Sequence, residues 1–277
     1  MTALDTSPRT THRPRPLTGL AKAEFLQFLR NKTLIYTGMV TPVALPLIMF
    51  FVIRRGTDPD APATAARLAI DMFLCMAVLF VQYYSVLSMV TTRRSEGVLR
   101  RLRTGEAPDW KIQAAPAVPG IALAVIGAVV VGVVVFVAGA PTPVNPVAIL
   151  LALAWGLVLF ALLALATSGF TRNAEAAQIT SLPIIALTVA GLGSIRSVVP
   201  DRVAAVLDLT PYAAISDLVA IGTTGRPEVP AAGEAGLAPV DFAGSFAEFG
   251  RPVVTLVAWT IVAAVLTRRY FRWDDRG

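Results

Sequence analysis

Apolar runs long enough to be helices recur along the chain, separated mostly by short polar connections. They fall at about 33–53, 66–90, 114–139, 146–169, 176–195 and 252–267. A helix needs roughly 20 apolar residues to cross a ~30 Å hydrocarbon core, so the last run is somewhat short. The pattern predicts an all-α membrane protein built as a six-transmembrane-helix bundle. Pro42 and Pro46 sit inside the first run. A membrane helix tolerates proline where neighbours satisfy the freed carbonyls, usually with a kink.

The connections differ in character. Residues 1–16 are polar, with Pro and Arg, and are expected to be a disordered cytoplasmic tail. No apolar stretch with a small-residue cleavage site follows them, so they do not read as a secretory signal. Residues 17–32 are amphipathic: Leu17, Ala21, Phe25, Phe28 and Leu29 share one arc, and Glu24, Gln27, Arg30 and Asn31 another. That suits an interfacial helix on the inner leaflet, or a solvated helical lead-in to the first span. The longest connection, 196–250, opens with an amphipathic piece from Pro200 to Leu209. A second short helix is expected from Pro211 to Ile221, followed by a Gly-, Pro- and acid-rich stretch.

Composition agrees with lipid as the main solvent. Of the 277 residues 55% are hydrophobic and only 15% charged, against roughly 25% in soluble domains. The net charge is +6. The basic residues flank apolar runs, so they speak for membrane orientation and not for nucleic acid. With six spans both termini share a side. Only Arg54, Arg55, Arg67, Arg196, Arg202, Arg226 and Arg251, of 24 Lys and Arg, then fall on the other side. The bias puts the N- and C-termini in the cytoplasm. The single cysteine, Cys75, and the single histidine, His12, leave no disulfide, zinc or Ser/His chemistry to argue for.

The stretch 91–111, TTRRSEGVLRRLRTGEAPDWK, lies on the cytoplasmic side of this topology. Ser95 is a candidate helix cap. Val98, Leu99 and Leu102 form an apolar stripe ringed by Arg100, Arg101 and Arg103. Glu96 precedes Arg100 by four residues, the favourable order for an ion pair. Gly105 and Pro108 would end the helix. Such a stripe needs a groove, in a partner protein or in the membrane; a charge run resting on lipid head groups is the plainer alternative. In the link Arg172–Gln178, Arg172 and Glu175 are expected to pair with each other, in preference to making a second cytoplasmic contact.

Polar residues inside spans are functional suspects by default. Asp71 would lie near the outer end of the second span, in head groups or on a pathway. Gln82 would lie near mid-bilayer, bonding between helices or lining a pathway. Trp110, Trp259 and Trp273 read as interface anchors. Without a chain of buried carboxylates a gradient-driven secondary transporter or channel is disfavoured. Without a cluster of His, Asp, Glu or Cys at one face, so is a membrane-embedded enzyme.

The order of these features resembles the permease subunits of type-2 ATP-binding-cassette exporters. The resemblance covers about 17–270. It rests on the amphipathic lead-in and on the segment after the second span, Arg94-Ser95-Glu96-Gly97-Val98-Leu99-Arg100-Arg101-Leu102 followed by Pro108. It rests also on the late series Gly191-Leu192-Gly193-Ser194, Val199-Pro200 and Leu209-Thr210-Pro211-Tyr212, similar to an outward re-entrant helical hairpin with a Pro before each half. Arg196 departs from that pattern. The resemblance implies that residues 94–108 hold a coupling helix that docks into a separate ABC ATP-binding subunit. ATP and Mg would be bound by that partner, since no GxxxxGK[ST] loop occurs in this chain. A second permease copy, identical or related, would complete the pathway in the cell membrane. The exported molecule would be a hydrophobic small molecule, drug, antibiotic or lipid.

Overall fold

The computed structural model describes residues 40–105, 108–228 and 240–274. The amphipathic 17–32 segment and the start of the first predicted span lie outside them. All regular structure among the described residues is helical, with no strand. Helix α1 (Thr41–Ile53) is followed by α2 (Ala61–Ser95), a 35-residue helix whose middle turn, Ala77–Tyr84, is π-helical. Two short helices, α3 (Val98–Arg103) and α4 (Asp109–Ala114), lead to α5 (Ala117–Val137) and α6 (Pro146–Ser168). A broken segment follows, with α7 (Ala176–Thr180), α8 (Leu182–Ala190), α9 (Gly193–Arg196), α10 (Asp201–Leu207) and α11 (Pro211–Thr224). A 3-10 turn (Gly244–Phe249) runs into α12 (Gly250–Tyr270).

Among the described residues, four helices are long and apolar enough to cross a membrane: Ala61–Ser95, Ala117–Val137, Pro146–Ser168 and Gly244–Tyr270. The pair α10 and α11, bent by 100°, makes a fifth if taken as one span. The described part of α1 and the segment Ala176–Ala190 are shorter. Two predicted boundaries change. The run at 176–195 breaks at Ser181 and stops at Ala190, because Leu192 turns extended (ψ 134°) before α9. The final span is longer than its apolar stretch suggests. It gains two residues at its start, Gly250 and Arg251, and three at its end, with Arg268 and Arg269 in its last turn.

The greater surprise is α11. The sequence places it in an external connection, yet every residue from Pro211 to Gly222 is buried. It packs between α2, α6 and α12 at the centre of the bundle. Small residues admit it: a methyl on Gly156 of α6 would stand about 3.0 Å from Val78 and 3.1 Å from Ile215. Close approach through small residues is what drives helices together in lipid, where no hydrophobic force distinguishes a neighbour from an acyl chain. The bundle thus has two ends. Asn145, Gly222 and Ser245 meet at one; Arg94, Ser168 and Tyr270 meet at the other.

Candidate functional site

At the Arg94 end, α2 stops where Gly97 adopts φ +70°, the left-handed conformation that closes a helix at least cost to glycine. Its N–H bonds back to the Arg94 carbonyl at 3.0 Å. Ser95 therefore belongs to α2 and does not cap α3: its hydroxyl donates to the Thr92 carbonyl at 2.8 Å. The expected Glu96–Arg100 pair is absent from the ion pairs of the described residues. Arg101 donates to the Glu96 carbonyl at 3.4 Å instead, and Arg103 faces Asp109 at 3.7 Å.

The predicted stripe turns inward. Leu99 is 1% exposed and part of the chain's own core, with Leu102 packed against that core and Val98 half-buried. What α3 presents outward is its basic face, Arg100, Arg101 and Arg103, with Pro108 and Trp110 exposed beside it. Trp273 from the tail lies under Arg103, 4.9 Å from the guanidinium to the ring centre. These two residues, with Arg100, Thr104 and Asp274, enclose a shallow pocket of about 370 Å³.

Arg94 holds this end together. It is 3% exposed and donates to the carbonyl of Ser168 at 2.7 Å, to that of Thr171, and to that of Arg172 at 3.3 Å. The last carbonyls of a helix have no partner within it and carry its negative dipole end, so a forked cation there is favourable. Arg94 thereby ties the end of α2, just before α3, to the end of α6 and the link beyond. In that link Arg172 and Glu175 are both exposed, and no ion pair between them occurs among the described residues. Thr171 and Thr180 share a hydrogen bond of 2.8 Å across it.

Towards the other end a charge cluster is buried around Arg196, whose side chain is 0% exposed. It pairs with Asp208 and with Asp217, each at 2.6 Å. Its Nε donates to the Gly191 carbonyl at 3.2 Å. Arg251 at the start of α12 reaches the second Asp208 oxygen at 2.5 Å. Four helices thus meet on one guanidinium system: α9, α11, α12 and the end of α10. Pro200 and Pro211 open α10 and α11. The Thr210 hydroxyl caps α11 by accepting from Ala213 N–H at 3.3 Å.

Asp71 joins this cluster from α2. It is 5% exposed, inside the bundle, so the head-group reading does not hold. Its carboxylate accepts from the Tyr212 hydroxyl at 2.9 Å and the Ser216 hydroxyl at 3.0 Å. Ser216 in turn accepts from Gly193 N–H at 3.1 Å. Buried carboxylates do therefore gather, contrary to the sequence expectation. Asp208 and Asp217 escaped notice because the segment reads as an exposed connection. The acid inside the apolar run Ala213–Ala220 was the available signal. Trp259 is likewise no interface anchor: midway along α12, its indole N–H donates to the Leu209 carbonyl at 2.7 Å, at the bend between α10 and α11.

Between α2, α5 and α6 lies an open cavity of about 410 Å³. Ala66, Phe73, Val131, Gly132 and Leu153 are among its walls, and Thr223 is its one hydroxyl-bearing lining residue. Gln82 sits elsewhere in α2, fully buried, with neither amide atom hydrogen-bonded to any of the described residues.

Four long apolar helices around buried polar ties define a multi-pass membrane protein. The family model for ABC-2 type transporters matches residues 17–198, and the chain belongs to that family. No curated protein matches the sequence. The matched region includes α3 and its flanks and ends just before Pro200, so α10 and α11 lie beyond it. The family is a membrane domain of ABC transporters and normally pairs with an ATP-binding subunit.

Proposed function

We propose that this chain is the permease subunit of an ATP-driven exporter, energised by a separate ATPase that docks on the Arg94 end. The observation that carries this is the exposed basic face of α3, held to the end of α6 by the buried Arg94. At 1.5 Å per residue a 35-residue helix such as α2 is about 52 Å long. That exceeds a ~30 Å hydrocarbon core by some 20 Å, so its basic end projects into the cytoplasm, with both termini on that side. Residues 94–108 are then the coupling segment. The partner surface is acidic, because Arg100, Arg101 and Arg103 face outward while Leu99 does not.

Six spans complete this reading, with α1 and the broken α7–α8 in the first and fifth. The bent pair α10–α11 is an outward re-entrant hairpin, and α11 spans about 21 Å from the bend to the outer end. Two copies line the pathway in the cell membrane. The apolar cavity beside α5 favours a hydrophobic small molecule or lipid as cargo. Asp71, Asp208 and Asp217 are the groups a gradient-driven carrier would need. Two of them are already matched by Arg196 and the third by two hydroxyls, which suits structural ties better.

The test is co-purification of the chain with its ATPase. Reversing Arg100, Arg101 and Arg103 to Glu should abolish the complex and transport while membrane insertion and melting temperature stay unchanged. Normal complex formation by the triple variant would refute the docking face.

A further inference from the structure

Two departures from ideal helix coincide in one turn of α2. Ala77–Tyr84 is π-helical, so it holds about one residue more than an α-helical turn allows. Within it Gln82 is 0% exposed, and among the described residues neither its Oε1 nor its Nε2 finds a hydrogen-bond partner. A buried orphan amide is expensive anywhere, and more so where no water competes. In a native structure it calls for an explanation. The site is also crowded on purpose: a methyl at Gly120 of α5 would overlap the Gln82 amide oxygen and stand 2.8 Å from the Val81 carbonyl oxygen.

Both flanks of this turn are pinned. Above it, Asp71 accepts hydrogen bonds from Tyr212 and Ser216. Below it, Arg94 clamps the end of α6. A helix fixed at both ends cannot expel an extra residue without moving one of them. It can pass that residue along, and each position the π turn crosses then rotates by one α-helical step, about 100°.

We propose that Ala77–Tyr84 is a torsional joint in which the π turn migrates along α2, and that Gln82 is the positioning residue that makes its resting register unfavourable. This rests on the reading of residues 94–108 as the docking segment. Docking-driven strain arriving at Ser95 displaces the π turn. The displacement rotates the Phe80–Tyr84 faces against α5 and α6 and carries the Gln82 amide to hydrogen-bond partners it lacks at rest. The flanks stay in place, so a local twist and not a rigid tilt conveys the signal to mid-bundle.

Spin labels on full-length protein, at Thr64, Phe80 and Thr92 in turn, with a common reference on α6, test this in the complex with its ATPase, with and without trapped nucleotide. The expected result is a changed distance and mobility at position 80 alone. Equal displacement at all three sites, or none, overturns it. Gln82→Leu supplies a readout independent of the partner. Removing the orphan amide should raise the melting temperature, while nucleotide-dependent change at position 80 and transport fall about tenfold with complex formation intact. A lower melting temperature would mean that Gln82 is satisfied and merely structural. Loss of the complex in the unsubstituted protein would instead sink the docking reading, and the melting temperature of Gln82→Leu would still decide this one.

Discussion

The two polar regions of this protein solve opposite problems. Around Arg196, charge is withdrawn from solvent and neutralised on the spot by Asp208 and Asp217, with Arg251 closing the second oxygen of Asp208. On α3, charge is displayed: Arg100, Arg101 and Arg103 stand exposed over an apolar underside sealed by Leu99. A buried ion pair costs several kcal/mol per ion in desolvation and holds only if every partner stays. A surface charge costs little and does little for stability. The first region should therefore govern whether the bundle assembles, and the second whom it meets.

Arg196→Ala is the strongest way to break the contrast. It strands the buried Asp217 carboxylate and leaves Asp208 with Arg251 alone, and should cost about 3–5 kcal/mol, read as a large fall in melting temperature in detergent. Arg196→Lys should recover only part of this, because one ammonium cannot serve both carboxylates as a planar fork does. If Arg196→Ala melts like the parent protein, the cluster is not a structural tie. Leu99→Asp comes next. It buries an unpaired charge at a site 1% exposed, so destabilisation of about 2–5 kcal/mol is expected. A docking-face residue would instead lose the ATPase with no change in melting. Leu99→Asp and the triple Glu reversal on the same helix should thus fail in different assays. The smallest effect belongs to Asn145, which caps α6 through Val147 and Ala148 and donates to Ser245 at 2.8 Å. Asn145→Ala should cost about 1 kcal/mol, with complex formation untouched. A loss of ATPase binding there would link the two ends more tightly than the contrast allows.

Much of the bundle was legible along the chain. The second, third and fourth apolar runs correspond closely to α2, α5 and α6, because a membrane helix satisfies its own backbone and betrays itself by length and hydropathy alone. The short helix after Gly97 was legible too, though the side of it facing out was misjudged. Val98, Leu99 and Leu102 mark a stripe, but whether a stripe meets the chain's own core or a partner's groove depends on what stands opposite. Here that is the chain itself, with Ile112 and Leu99 in one core.

The hairpin region shows where local reading fails. Asp71, Ser216, Asp208, Asp217, Arg196 and Arg251 come from positions up to 180 residues apart, and each alone looks like a surface polar group or a head-group neighbour. Their meaning lies in mutual distance, which chain order does not encode. By itself the sequence determined that this protein lives in lipid and where three of its long apolar helices, α2, α5 and α6, run. These follow from transfer free energies summed over contiguous residues. Only the tertiary structure decided that α11 is core, that Arg94 is a clamp and that Gln82 stands without a partner among the described residues. Such facts depend on pairs brought together by packing, where one missing hydrogen bond outweighs any propensity of the residue that lacks it.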